Sequence, residues 1–287
     1  MTNLTQFHTL IPVLGCQRSG TTLTALIIGA HERVLMIDED EGGYPLLQQY
    51  LADSNARSSV LRQASCKASA KYRDPGQRLP NGQLRPRVSR LAIKAPNATH
   101  LVPELIDLAS SARFVVPIRD VRDVVASILG VQGPEFANNQ RRLFAACPEI
   151  ERRFPVEMNM LADPRLGVHA KIALIWKIKN LLCRQLQSAG MACHMVRYER
   201  LVEHPRREIR RLLSFLGLPD SRRCRQHQLV YRGQAVGRTS RTRRVDGQSV
   251  GRWRTVLSAA DEAEIWKVAG PTMRKFGFDR STGSGPD

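Results

Sequence analysis

The sequence predicts an α/β fold, with a mainly parallel sheet flanked by helices on both faces. Short apolar runs that read as buried strands alternate with longer runs of helical period. The first apolar run ends in a glycine-bearing turn that opens directly into a helix. Hydrophobic residues make up 42% of the 287 residues, enough for a substantial core and too many for a disordered chain.

Residues 9–15 (TLIPVLG) carry the pattern of a buried strand, and 21–30 (TTLTALIIGA) read as the helix after it. A second strand is expected at 89–94 (SRLAIK) and a helix at 101–109 (LVPELIDLA), with Pro103 tolerable in its first turn. Residues 113–118 (RFVVPI) read as a third strand, 121–129 (VRDVVASIL) as a helix and 171–188 as a long helix. A fourth strand follows at 192–198 (ACHMVRY), then a helix at 206–216 that stops before Gly217 and Pro219. Such alternation implies a parallel sheet covered on both sides, with ligands beyond the carboxyl ends of the strands. Residues 1–280 read as a single domain. Two stretches break its rhythm, 52–90 (rich in Ser, Arg, Pro and Gly) and 222–251 (basic and glycine-containing). Both are expected to be long loops or lids, and 281–287 (STGSGPD) a flexible tail.

The formal net charge is +18 and most of the cations are arginines. A field of that sign draws anions, whether nucleic acid, anionic lipid, acidic polymer or polyphosphorylated cofactor. Arginine usage also follows genome composition, so charge alone ranks no partner. Cys16, Cys66, Cys147, Cys183, Cys193 and Cys224 form no CxxC pair, which argues against a zinc knuckle and fits free thiols in a reducing compartment. No charged segment precedes an apolar one at the N-terminus, and the run 10–14 is too short to span a membrane. These features predict a soluble, cytoplasmic protein.

The segment GCQRSGTTL (15–23) joins the first strand to the first helix. A strand, a tight glycine turn and a helix N-terminus make an anion cradle, to which Arg18 adds a full charge and Ser19, Thr21 and Thr22 add hydroxyl donors. The arrangement is P-loop-like, with Gly15 and Gly20 at the spacing of GxxxxGK[ST]. Thr21 stands where the lysine of that motif belongs, which weakens the alternative of a nucleotide kinase or hydrolase. In PIRDVRDVVASIL (117–129), Arg119 ends a strand, Asp120 caps the next helix and Ser127 lies two turns into it. Arg119 and Ser127 can therefore converge on one anion. Each segment alone is equally compatible with an ordinary structural corner or a solvated surface arginine. A basic nucleic-acid-binding protein is a further alternative, though no recognisable module is present and aromatic residues are only 6%.

Taken together, the motifs resemble those of the sulfotransferase family that uses 3′-phosphoadenosine-5′-phosphosulfate (PAPS). GCQRSGTTL resembles the family's 5′-phosphosulfate loop, usually PRSGTT or PKSGTT, and RDVRDVVAS its 3′-phosphate motif. RYERLVEHP (197–205) looks like its RYEDLxxxP segment, and 251–278 like its closing segment, where a basic-Trp pair precedes a final helix. The motif layout is most similar to the tyrosylprotein and carbohydrate branch. The departure at Gln17, where the family usually has Pro, is expected to loosen the turn slightly.

The resemblance implies donor contacts from Arg18, Ser19, Gly20, Thr21, Thr22, Arg119, Ser127, Tyr198 and Arg252. Arg241, Arg243 and Arg244 are looser candidates. It implies catalytic roles for Arg18, for Lys94 (matching the KxP lysine) and for a general base. Glu39, in the acidic run 38–41, is the preferred base and His100 the runner-up. Trp176 is expected in the core. PAPS is the implied donor, 3′-phosphoadenosine 5′-phosphate (PAP) the product, and no metal is called for. The acceptor, a hydroxyl on a glycan, lipid or small molecule, is not identified, because the resemblance fades over 42–90 and 130–166.

Overall fold

The computed structural model describes residues 7–52, 63, 74, 76–106, 112–231, 234–235 and 239–280. Five strands, β1 (Thr9–Val13), β2 (Val34–Ile37), β3 (Arg90–Lys94), β4 (Phe114–Ile118) and β5 (Cys193–Arg197), form one all-parallel sheet in the order β2-β3-β1-β4-β5. The helices in chain order are α1 (Thr21–Gly29), α2 (Gly43–Ala52), α3 (Val102–Ile106), α4 (Val121–Gln132), α5 (Glu135–Ala145) and α6 (Pro148–Arg153). They continue with α7 (Pro155–Ala162), α8 (Val168–Ser188), α9 (Tyr198–Glu203), α10 (Pro205–Phe215), α11 (Arg222–Arg225) and α12 (Ala259–Lys275). A short antiparallel pair, β6 (Gln234–Ala235) and β7 (Thr239–Ser240), precedes the last helix.

Both faces of the sheet are apolar because successive strand side chains point to opposite sides. Leu10, Leu35, Ile37, Leu91, Ile93, Phe114 and Val116 join one core with the inner faces of α4, α5, α8 and α12. Ile11, Val13, Val34, Met36, Ala92, Val115 and Val196 join the other with α1, α10 and α11. This double covering explains why the strands read as continuous apolar runs. The chain reverses its direction of sheet growth at β1, whose neighbours are β3 and β4. β1 is therefore the switch point of the sheet, where a crevice is expected beyond the carboxyl ends of the strands.

The structure adds elements that the sequence pattern does not announce. β2 is an edge strand of four residues, too short for its alternation to stand out. α2 and α5–α7 occupy the stretch where only irregular chain or no assignment is expected. The helix expected at 101–109 begins as a 3₁₀ segment, Pro96–Leu101, before α3; residues 107–109 lie outside the described residues. Of the expected loop 52–90, most lies outside the described residues; 76–89 is irregular chain pinned by the buried Gln77, Arg78, Leu84 and Val88. Gln77 there is 6% exposed, and its amide donates to the carbonyls of Gly29, His31 and Val34, closing the end of α1 onto β2. The expected loop 222–251 contains α11, a 3₁₀ turn and the β6–β7 pair. The tail 281–287 and Cys66 lie outside the described residues.

Trp176 on α8 is fully buried. Its indole Nε1 donates to the Arg119 carbonyl at 3.0 Å, and its ring meets Phe276 edge-on at 6.1 Å. It thus fixes the height of the β4–α4 junction against the helical layer. Trp176→Phe keeps most of the apolar volume and leaves that carbonyl without its partner. The expected cost is about 1–3 kcal/mol, read from urea unfolding.

Candidate active site

The turn between β1 and α1 runs left-handed at Gly15 (φ 109°), Arg18 (φ 65°) and Gly20 (φ 92°). Arg18 is the one non-glycine residue with positive φ among the described residues, a strained setting for a side chain bearing a Cβ. The turn ends at the N-terminus of α1, whose first-turn N–H groups have no partner within the helix. No side chain caps that end. Ser19 is fully buried and its Oγ has no hydrogen-bond partner among the described residues, but unlike its neighbours Arg18 and Gly20 it does not line the cavity described below. A Cβ on Gly20 would sit 2.5 Å from the Tyr198 ring, so only glycine lets α9 close against the turn.

Opposite the turn stands the β4–α4 corner. Ser127 on α4 accepts a hydrogen bond from Arg18 Nε at 2.9 Å. Arg119 is 5% exposed, donates to the Arg18 carbonyl at 3.2 Å, and lies 4.6 Å over the Tyr198 ring. Its Nε has no partner. Burial lowers the pKa of Arg18, and repulsion from Arg119 lowers it further. Two guanidinium groups held that close favour an anion between them. A strap, residues 239–255, closes the third side. The Ser249 carbonyl accepts from Arg119, and Ser249 Oγ meets Tyr198 Oη at 2.6 Å. Asp123 accepts from the backbone N–H groups of Gly251 (2.8 Å) and Trp253 (3.1 Å), and pairs with Arg119 at 3.4 Å.

These walls enclose a cavity of about 430 Å³. Arg18, Gly20, Thr21, Thr22, Arg119, Ser127, Tyr198 and Arg252 all line it, as do Arg243 and Arg244 from the strap. Lys94 and Glu39 do not; they meet each other beyond the end of β3. Lys94 is 2% exposed, with its ammonium 3.1 Å from Asp38 Oδ1 and 3.1 Å from Glu39 Oε2. Asn97 Nδ2 donates to Glu39 Oε1 at 3.3 Å. Asn97 Oδ1 in turn accepts from Gln17 of the turn and from Gln140 on α5. His100, the other candidate base, is buried against Asn97 O at 2.6 Å. Burial pushes its pKa down to about 4, and Lys179 adds to that effect.

The pattern that defines the Sulfotransferase family matches residues 11–222, well over half of the chain. The chain belongs to the sulfotransferase family. A Caenorhabditis briggsae protein provisionally named protein-tyrosine sulfotransferase is 26% identical over 299 residues, covering 99% of this chain and 94% of the relative. Nodulation protein NoeE of Sinorhizobium fredii is 24% identical over 300 residues, 94% of this chain and 66% of the relative. Two solved structures share the fold. The sulfotransferase domain from the curacin biosynthetic pathway has a TM-score of 0.54 at 14% identity, covering 93% of this chain and 97% of the domain. The sulfotransferase domain of the Synechococcus PCC 7002 olefin synthase has a TM-score of 0.55 at 16% identity, covering 98% and 97%. The kinase, hydrolase and nucleic-acid-binding alternatives are thereby set aside.

Some parts of this sulfotransferase's site differ from expectation. Arg241 is not in the cavity: it is 2% exposed and pairs with Asp38 (2.9 Å) and Asp40 (3.1 Å). In the acidic run Asp38 is 1% exposed and closes a capping box with Glu41, while Asp40 is exposed. Gln17 does more than loosen the turn, because its amide joins Lys179 to Asn97. Lys179 was legible in principle, being the one charged residue on the inward stripe of α8; Asn97 and Asp123 carry no sequence signal of comparable strength. Among the described residues no group of His, Cys, Asp or Glu is arranged to hold a metal ion, and no helix is long and apolar enough to cross a membrane.

Burial disfavours the Asp38 carboxylate, but Lys94 and the bond from Arg241 outweigh it and hold its pKa below the ordinary 3.8. Its contribution to stability is present above the unfolded value and lost as pH falls through the depressed folded value. Arg241→Ala leaves one Asp38 oxygen buried without its cation. We expect a loss of about 3–5 kcal/mol at neutral pH, narrowing below about pH 4 as the carboxyl protonates. Urea titrations at the two pH values measure both effects.

Proposed function

We propose that this sulfotransferase takes PAPS as donor and passes the sulfuryl group to an acceptor hydroxyl on a glycan, lipid or small molecule. The observation that carries the proposal is the single cavity lined by both the 15–22 turn and the Arg119–Ser127 corner. The residues fit such a donor: the buried Nε of the cavity-lining Arg119 lacks a partner among the described residues, and the Gly20 cradle leaves no room for a Cβ. On this reading the turn amides, Arg18, Thr21 and Thr22 hold the 5′-phosphate end. Arg119 and Ser127 hold the 3′-phosphate, with Tyr198 and Arg252 beside them. When bound, PAPS supplies the sulfuryl group and, as PAP, the leaving group. No magnesium-type partner is required where arginines and lysine neutralise the charge.

Glu39 is the proposed general base, taking the acceptor proton, and Lys94 steadies the charge on the sulfuryl oxygens. Two features support Glu39 over His100. The carboxylate faces Lys94 and Asn97 at the end of β3, while the imidazole is packed inward beneath Tyr44. A hydroxyl acceptor gains about 100-fold to 10,000-fold from a positioned base. The relatives' names extend the acceptors worth assaying to peptidyl tyrosine. Labelled PAPS offered with a tyrosyl peptide, an oligosaccharide, a glycolipid and a simple phenol tests the proposal. Transfer to none, with no PAP binding, would overturn it. With any acceptor that works, Glu39→Gln is expected to lose turnover by the factor above and keep PAP affinity. A dead His100→Ala beside an active Glu39→Gln would transfer the role to the histidine.

The 3′-phosphate assignment has its own test. Removing that phosphate forfeits charge-assisted bonds of about 1.5–3 kcal/mol each. PAPS is expected to bind at least tenfold more tightly than adenosine 5′-phosphosulfate. Arg119→Ala should erase most of that difference. Equal weakening of both ligands would mean that Arg119 braces the turn and touches no phosphate.

A further inference from the structure

Lys179 lies on the inward stripe of α8, between Ile175, Trp176, Leu182 and Cys183, all buried. Its side chain is fully enclosed. The ammonium donates to Gln17 Oε1 at 2.7 Å and to the Pro96 carbonyl at 3.0 Å, and it forms no ion pair among the described residues. A cation so placed has lost its hydration and gained only neutral carbonyls in exchange. A lysine whose task was merely to brace two loops would be better served by a neutral side chain or a carboxylate partner. Both of its contacts instead lead to the reacting centre: Gln17 precedes Arg18 in the anion turn, and Pro96 follows the strand that carries Lys94.

We propose that Lys179 is a buried counter-charge of the donor site, protonated when an anion occupies the β1–α1 turn and acting on it through Gln17. The inference rests on the reading of that turn as the seat of the donor's 5′-phosphate. An anion in the turn supplies the negative charge that Lys179 lacks, so the occupied site favours the ammonium over the amine.

The linkage has a definite sign. Burial lowers the Lys179 pKa to about 8, and the other groups that reach it are Cys16 from the turn, Glu39 from the acidic run and Cys183 on its own helix. His100, from the segment after β3, feels it in return. The Cys16 thiol is pushed up to about 12 and Cys183 well above its usual range, while His100 falls to about 4. None of these three changes charge between about pH 7 and 9.5, and the phosphates of PAP are ionised throughout that range. An occupied turn raises the Lys179 value, so binding takes up a proton once the pH passes about 8. Affinity for PAP is therefore level below that point and falls above it, by at most about tenfold per pH unit.

Calorimetric titration of PAP into the full-length protein, from about pH 7 to 9.5 in buffers of different ionisation enthalpy, measures affinity and proton uptake together. Uptake approaching one proton per PAP above pH 8 is expected, with a matching loss of affinity. Lys179→Met is expected to bind PAP about tenfold more weakly near pH 7, with a flat pH profile and no proton uptake. It should unfold no earlier than the parent, because it removes a buried unpaired charge. A variant that keeps the parent's pH profile, or one that loses stability while binding PAP normally, overturns the inference. Should Lys179→Met fail to fold, the parent decides alone: tight binding with no proton uptake sinks the role of Lys179 and spares the donor reading. Absence of PAP binding at every pH overturns the donor reading, and this inference with it.

Discussion

The site depends on one bare Cα. At Gly20 the chain turns left-handed and the Tyr198 ring approaches so closely that a Cβ would lie 2.5 Å from it. That approach seats α9 on the turn. Tyr198 then offers its face to Arg119 and its hydroxyl to Ser249 of the strap. Gly15 does the same toward β4, where a Cβ would stand 3.0 Å from the Pro117 carbonyl. Two glycines therefore bring three walls from distant parts of the chain to hydrogen-bond range of each other. The strain at Arg18 is held by Ser127 and by Arg119, the same pair that faces the proposed 3′-phosphate. The geometry proposed to bind the donor is also the geometry that keeps the turn in place.

Charge is sorted on the two sides of that turn. The chain carries 44 Lys and Arg against 26 Asp and Glu. In the cavity, arginines outnumber the two lining carboxylates, of which Asp123 is committed to the backbone of the strap and Asp246 to Arg243. Beyond the end of β3 the balance reverses, with Asp38, Glu39 and Asp40 sharing Lys94 and Arg241. Arg241 belongs to the strap that covers the cavity, yet its head group is anchored in the acidic run. The strap is therefore anchored on Asp38, which shares Lys94 with Glu39.

The parts legible in the sequence are those set by local rules. Residues 9–30 announce a strand, a glycine turn and a helix because each residue's preference agrees with the final structure, and the same holds for 113–129. Arg18, Thr21, Thr22 and Arg119 could be placed because they sit at a strand end or helix start, where an α/β sheet binds ligands, whereas Tyr198 and Arg252 were legible only through the family resemblance. What escaped has a common cause. β2 is four residues long, α6 is short and mostly polar, and α7 is short with no one-sided apolar stripe, so none of these patterns outlasts the noise of composition. Arg241, Asn97 and Gln17 matter only through partners far away in the chain, and residue type alone does not reveal such pairings.

The acceptor side is obscure for a different physical reason. A dianionic phosphate can be recognised by backbone amides and guanidinium groups in a nearly fixed geometry, so the donor leaves a readable motif. An acceptor is recognised by whatever surface the neighbouring segments present, and the segments where the family resemblance fades hold α2 and the proline-started helices α6 and α7. Proline at a helix start sets local direction, while packing against α8 sets orientation. The two regions meet at one amide. Gln140 of α5 and Gln17 of the turn both donate to Asn97 Oδ1, whose Nδ2 reaches Glu39. Asn97 thus ties the helical segment, the anion turn and the proposed base together while lining none of the donor cavity. Gly130 and Val131, at the start of 130–166, line the cavity directly, so Asn97 is one of the links between that stretch and the turn.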